Sequence, residues 1–257
     1  MNEKLETPGL VIREKAQKEN NSLLTILTAT QGVVTATAYG ARKTGATLSA
    51  GTKLFNYADF TLVDSRGRYK VDAAKPIESF FGLSRSMEAL TAASYFAEVL
   101  YDVCVTGQPD VEVLRLTLNS LYLLMKGRTP LPLVKAIFEL RLLSESGFAP
   151  ELDGCAECGR EETAYFSVSD ACLYCADCGE RRGEALFSVS PGVSQAMRHI
   201  VSAPMEKLFS FSLGKASLDA LAAICERYLT VQTGRSYDTL KLYHSLIDGA
   251  DHGTDDL

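Results

Sequence analysis

The tightest constraint on this chain is a run of cysteines. The stretch "DGCAECGREETAYFSVSDACLYCADCGERR" begins at residue 153 and holds Cys155, Cys158, Cys172, Cys175 and Cys178, five of the seven cysteines in 257 residues. A two-residue gap lets both sulfurs of a tight turn face one point, so two CxxC turns supply the four soft ligands of a tetrahedral metal site. Cys155 and Cys158 form one pair, and the second is either Cys172 with Cys175 or Cys175 with Cys178. Glycine follows both Cys158 and Cys178, repeating the register CxxCG and supplying the permissive backbone expected after a metal knuckle. That choice gives CxxC, sixteen residues, CxxC, within the spacing usual for zinc. The expected ligands are therefore Cys155, Cys158, Cys175 and Cys178 around one Zn2+, with Cys172 as the spare. "AYFSV" and "CLYC" are expected to form a hairpin between the two knuckles.

The alternatives for these residues ask for features the sequence does not offer. Small buried cysteines would not need a repeated CxxCG, and a redox dithiol would want one CxxC opening a helix beside a βαβ pattern. A catalytic zinc of the deaminase kind has H-x-E ahead of its cysteines, whereas His199, His244 and His252 all follow them. The site reads as structural, its metal supplying folding free energy to a module, at about 153–188, too small to build a core of its own. An odd cysteine count and paired CxxC spacing argue against disulfides. Cys104 and Cys225, on apolar faces of predicted helices, read as core, and His199 and His244 as surface or packing positions.

Outside the cysteine run, little else in the chain carries a chemical signal. The glycines of "AYGARKTGATLSAG" have neither the GxxxxGK[ST] nor the GxGxxG spacing of a phosphate cradle and read as a strand connection. No apolar run approaches the roughly 18 to 20 residues of a membrane span, and "MNEKLETPGL" lacks a signal-peptide pattern; a cytoplasmic protein is expected. The net charge of −6 hides an asymmetry. Residues 1–75 carry eleven Lys and Arg against seven Asp and Glu, so +4, while the remainder has fifteen against twenty-five, so −10. An electrostatic footprint for phosphate belongs at the N-terminal end. Its candidate contacts are Arg42, Lys43, Lys53, Arg66, Arg68 and Lys70. Tyr39, Phe55, Tyr57 and Tyr69 either stack on bases or face the core, since alternate strand residues must point inward.

The fold class expected is α+β multidomain. Short runs rich in Val, Ile, Leu, Thr, Phe and Tyr recur about every ten residues from Gly9 to Ile77, broken by "ENN", "TQG" and "SRGR". That is the pattern of a five-stranded barrel over 1–80, either an oligonucleotide-binding (OB) fold or an SH3-like one. Beyond it, 84–105, 109–127 and 131–147 carry apolar residues at helical spacing, the first with Ser84 or Ser86 as N-cap. Three more helical stretches follow the cysteines, starting at Pro191, Ser217 and Tyr237. The region 81–257 thus reads as a helical domain into which the zinc module is inserted. The tail "ADHGTDDL" is expected to be disordered.

These residues together resemble one family, the bacterial recombination mediator RecO of the RecF DNA-repair pathway. "GLVI" followed by "ENNSLLTILTATQGVVTATAYGARK" is similar to that family's first strands. "FELRLLSESGFAPELDGCAECG" is similar to its helix, Gly turn and first knuckle, and "FSVSDACLYCADC" to its second, where the family usually has Gly-Gly and Cys172 stands for the second glycine. The resemblance implies an N-terminal OB-fold, a helical C-terminal domain and, in many members, a zinc module. It implies function without turnover: binding single- and double-stranded DNA, annealing complementary strands and, with RecR, helping RecA replace the single-strand binding protein SSB. It also implies that the helical domain engages the acidic, apolar-ended SSB tail. Two other readings stand beside it: a zinc-ribbon scaffold that binds only proteins, and a zinc-dependent enzyme acting on nucleic acid.

Overall fold

The computed structural model describes residues 4–64, 68–182 and 185–251, with side chains described through residue 247. Arg66, His252 and the end of the acidic tail lie outside the described residues. Five strands form a closed barrel: β1 (Lys4–Gln17), β2 (Asn21–Thr28), β3 (Gly32–Ala38), β4 (Asn56–Asp64) and β5 (Tyr69–Ser79), in the order β1-β2-β3-β5-β4. All pairings are antiparallel except β3 with β5. Five strands in this Greek-key order make an OB-type barrel. Alternation explains why it closes: Leu24, Ile26, Val34, Ala36, Phe60 and Leu62 point inward and are buried together with Val11. The connection 39–55 caps one end, with Ala41 buried in that core and Leu48 packed against it.

Helices α1 (Met87–Val103) and α2 (Val111–Lys126) follow a 3-10 turn at Phe81–Arg85. Ser86, the second of the two N-cap candidates, accepts from the Ala89 N–H at 3.1 Å. The helices pack on β1 and β2, and the loop between them is tied to the β2–β3 turn. Thr106 Oγ1 donates to the Val33 carbonyl at 2.8 Å, and the Gly107 N–H to that of Gln31 at 2.9 Å. The last helix, α7 (Asp238–Asp251), packs on α1. Tyr95 meets Tyr237 edge-on, and Glu98 accepts from the N–H of Thr239, capping α7 from α1. The compact unit therefore comprises residues up to 126 together with 237 onward. A cut by compactness differs from a cut by element type at residue 80, because α1, α2 and α7 join the strands.

The second compact unit is residues 127–236. Helix α3 (Leu131–Glu145) is buried on nearly all sides, as its near-continuous apolar sequence requires. Strands β6 (Glu151–Cys155), β7 (Tyr165–Ser167), β8 (Cys172–Tyr174) and β9 (Phe187–Ser188) form a small sheet in the order β6-β8-β7-β9, and α4 (Ala176–Arg182) follows β8. Helices α5 (Pro191–Ser202) and α6 (Lys215–Thr233) complete the unit. Lys135 and Glu139 on α3 are 2% and 0% exposed; the ammonium lies 2.8 Å from Glu139 and 2.6 Å from Glu226 of α6. Arg141 donates through one nitrogen to the carbonyls of Ile200, Val201 and Ala203, closing the C-terminal end of α5. Phe166 packs edge-on against Tyr228, so the small sheet is anchored on α6. Cys225 is buried in α6 and Cys104 sits half-buried at the end of α1. His199 bonds the Lys207 carbonyl and packs against Phe211, while His244 is exposed beside Tyr243.

Candidate metal centre and nucleic-acid interface

The two knuckles converge. Cys155 ends β6, Cys158 closes the turn after it, Cys175 follows β8 and Cys178 lies in α4. Their four sulfurs lie within 4.8 Å of one another. The Gly159 N–H donates to the Cys155 carbonyl at 2.8 Å and the Gly179 N–H to the Cys175 carbonyl at 2.9 Å, so each pair sits in its own tight turn. Metal–sulfur bonds of about 2.3 Å put the corners of a tetrahedron about 3.8 Å apart. Cys158 and Cys175 are 3.7 Å apart. The donor set therefore fits a four-coordinate metal ion. Cys172 is buried beside the cluster but outside this group of four.

Electrostatics support a cation at the centre. Burial opposes ionisation of Cys155, yet N–H groups of Cys175, Cys158 and Glu157 bring its thiol down to about 6. Burial and the three neighbouring sulfurs push Cys178 up to about 12. Four thiols this close cannot all ionise unless a cation joins them. Two arginines add positive charge at the rim. Arg181 donates to the Cys178 sulfur at 3.1 Å and to Glu157 at 3.0 Å, and Arg160 pairs with Asp177. Sequence reading passed over both, although each stands just after a CxxC knuckle, in "CGR" and "CGERR".

The basic group sorts differently. Arg42, Lys43, Arg68 and Lys70 are exposed, and strand register places Lys70 in a row across the outside of the barrel. Lys15 of β1 pairs with Leu23 of β2, Leu23 with Thr37 of β3, and Thr37 with Lys70 of β5. Arg42 and Lys43 approach the same end: the Arg42 N–H donates to the Asn20 carbonyl at 3.1 Å, and Asn21 Oδ1 accepts from the Gly40 N–H at 3.0 Å. Lys53 is engaged elsewhere, its ammonium 3.5 Å from Glu14. Lys15 and Lys18 were missed, because a charge count along the chain does not use the register that brings β1 beside β2.

The four aromatics also separate. Phe55 is 4% exposed and faces the core. Its N–H donates to the Val11 carbonyl and its carbonyl accepts from Phe80, closing the connection onto the barrel. Tyr57 and Tyr69 are half-buried, Tyr69 against the barrel core. Tyr39 is 56% exposed, with the Lys70 ammonium 5.8 Å from its ring centre.

Comparison with known proteins agrees with both halves of the chain. A family model described as "Recombination protein O N terminal" matches residues 1–80, and one described as "Recombination protein O C terminal" matches 84–241. The DNA repair protein RecO of Acetivibrio thermocellus is 36% identical over 245 residues, covering 94% of this chain and 97% of its own length. That of Alkaliphilus metalliredigens is 29% identical, with 93% and 98% covered, and that of Caldicellulosiruptor bescii 30% identical, with 88% and 91% covered.

Proposed function

Since the chain belongs to the RecO family of DNA repair proteins, we propose that it is a recombination mediator that works by binding rather than by turnover. It binds single- and double-stranded DNA on the basic outer face of its barrel and anneals complementary strands. With RecR it assists RecA to replace SSB, whose acidic tail docks on the helical part. The observation that carries the DNA reading is the cross-strand row from Lys15 to Lys70, flanked by Arg42 and Lys43. Phosphate binding needs such clustered cations, since release of counterions supplies most of the sequence-independent affinity.

The metal is taken to be zinc, held by Cys155, Cys158, Cys175 and Cys178 in a structural role. Four protein ligands make a closed site, whereas catalytic zinc keeps one position for water or substrate. Zinc when bound ties β6 to α4 and so holds the small sheet in shape. No helix of the described residues is long and apolar enough to cross a membrane, and the place of work is the bacterial cytoplasm, at the nucleoid.

The test is a variant carrying Lys15→Gln, Arg42→Gln, Lys43→Gln and Lys70→Gln together. Each lost phosphate contact lowers the slope of log affinity against log salt by about 0.7 on single strands, so four should lower it by about 3. Annealing of SSB-coated oligonucleotides should fall in parallel. An unchanged slope rules out this face.

A further inference from the structure

We propose that Tyr39 is a stacking platform for one unpaired nucleobase, and that it biases the basic face toward single strands. This rests on the DNA reading above and assigns it a particular ring. Stacking needs an accessible aromatic face next to phosphate-binding cations. Of the four candidate aromatics of the barrel only Tyr39 offers this, since Phe55 is in the core and Tyr57 and Tyr69 are half-buried.

The surroundings suit a nucleotide. Tyr39 sits where β3 ends, beside a shallow concavity of about 670 Å³ lined also by Lys18, Glu19, Asn20, Asn21 and Lys43. That volume lies within the roughly 300 to 1,000 Å³ of sites for small ligands. The turn presenting the ring is fixed before any ligand arrives. Asn21 Oδ1 holds the Gly40 N–H, the Asn20 carbonyl holds the Arg42 N–H, and the Lys43 N–H donates to the Gly40 carbonyl at 3.0 Å. Little ordering entropy is then spent on binding. Cations stand nearby: Lys70 lies over the ring, 5.8 Å from its centre, and Lys18 and Lys43 line the same concavity. Glu19 is the acid of the concavity; it repels phosphate and suits the amino edge of a base, so the backbone runs on the Lys70 and Lys43 side. A base in a duplex is already stacked on its neighbours and cannot reach the ring without being unpaired. The phosphate contacts serve both forms of DNA, and the ring serves only one.

The experiment measures binding of the full-length, metal-loaded protein to a single-stranded oligonucleotide and to its duplex, for wild type, Tyr39→Ala, Tyr39→Leu and Tyr39→Phe. Stacked bases contribute roughly 1 to 3 kcal/mol each, which is about 5- to 150-fold in Kd. Expected is a loss in that range on the single strand for Tyr39→Ala and Tyr39→Leu, with duplex Kd changed less than about twofold. Tyr39→Phe should bind like wild type, and a 2-aminopurine in the oligonucleotide should be quenched by wild type and Tyr39→Phe only. Equal losses on both DNA forms would overturn the proposal by showing a structural role. If the lysine variant loses its salt slope while Tyr39→Ala binds single strands normally, stacking fails and the basic face stands. If neither variant changes binding, the face itself is wrong.

Discussion

Substituting the two knuckle glycines tests what holds the metal module together, because their reasons for being glycine differ. Gly159 has φ +75°, and a Cβ there would meet nothing within 4 Å. Gly159→Ala therefore costs only the left-handed backbone, about 1 to 2 kcal/mol. Gly179 lies inside α4 with no positive φ, so alanine would by propensity stabilise it by about 0.8 to 1.0 kcal/mol. Its Cβ, however, would stand 2.4 Å from Cδ2 of Tyr165 and 3.1 Å from two further ring atoms. Carbon contacts settle at about 3.5 to 4.0 Å, so the ring must move by more than about 1 Å. The strand cannot shift to make room, since β7 is paired on both sides, with Tyr174 of β8 and Ser188 of β9 opposite Tyr165, so the ring itself must turn. Overpacking of this kind costs about 1 to 3 kcal/mol, here at the upper end. Set against the helix gain, the net is about 1 to 2 kcal/mol of destabilisation. Removing the ring should reverse the sign, so that in a Tyr165→Ala background Gly179→Ala is neutral or stabilising. A double-mutant cycle on thermal unfolding of the metal-loaded protein should give a coupling of about 2 kcal/mol or more. Release to a chromophoric chelator should also quicken in Gly179→Ala, because Cys178 precedes the displaced residue. A coupling below about 0.5 kcal/mol would refute the steric account.

Three further outcomes are expected. Serine at Cys155, Cys158, Cys175 or Cys178 should cost metal stoichiometry, read by elemental analysis, while Cys172→Ser keeps it; metal loss from that last variant would put Cys172 among the ligands. Lys135→Met should destabilise by about 3 to 5 kcal/mol in denaturant unfolding, since it leaves Glu139 buried without the ammonium, and a cost under about 1 kcal/mol would show the carboxylates find other compensation. Burial pulls the Lys135 ammonium down, but Glu139 and Glu226 outweigh it and the net shift is upward. A raised lysine stabilises fully below its unfolded value, about 10.4, and loses that contribution as pH climbs through the higher folded value. The Lys135 contribution should therefore be flat from pH 6 to 9 and fall only in strong alkali. Glu98→Ala should uncap α7 and cost about 0.5 to 2 kcal/mol, seen as faster amide exchange at Thr239 and in the first turn of that helix.

What the sequence made legible follows the range of the forces involved. The knuckles and the helices are local: a CxxC turn or an apolar stripe at helical spacing contains its own evidence, and α1, α2, α3, α5, α6 and α7 fall within a few residues of their predicted spans. The reason given for the second glycine was less secure. Repetition of CxxCG suggested one backbone requirement at both sites, yet Gly159 answers to φ and Gly179 to the ring of Tyr165, fourteen residues away and visible only once β7 is folded. The grouping of α7 with the barrel unit was hidden for the same reason. It depends on Glu98 and Tyr95 meeting Thr239 and Tyr237 across about 140 residues, and no periodicity encodes such a pairing.

The basic face shows the same limit in a form that bears on function. Counting charge along the chain located the positive end but chose among its members by proximity in sequence, and so gave Lys53 the same weight as Lys70. Register separates them. Lys53, in the 39–55 connection, is paired with Glu14 at 3.5 Å, whereas Lys70 shares an outward row with Lys15, more than fifty residues earlier. Alternation along a strand assigns a side chain to a face only after pairing partners are known, because a slip of one residue would exchange the two faces. The aromatics follow: Phe55 and Tyr39 have equal claims as residue types, and only the closure of the 39–55 connection onto Val11 and Asn20 puts one in the core and the other beside the cations. A phosphate-binding surface is thus a property of the closed barrel, and its strength should track barrel register more closely than net charge. A further lysine at Thr35, outward on β3 and opposite Thr25, should tighten DNA binding, whereas one at Thr61, opposite Glu6 on the β1–β4 side, should leave it nearly unchanged at the same total charge.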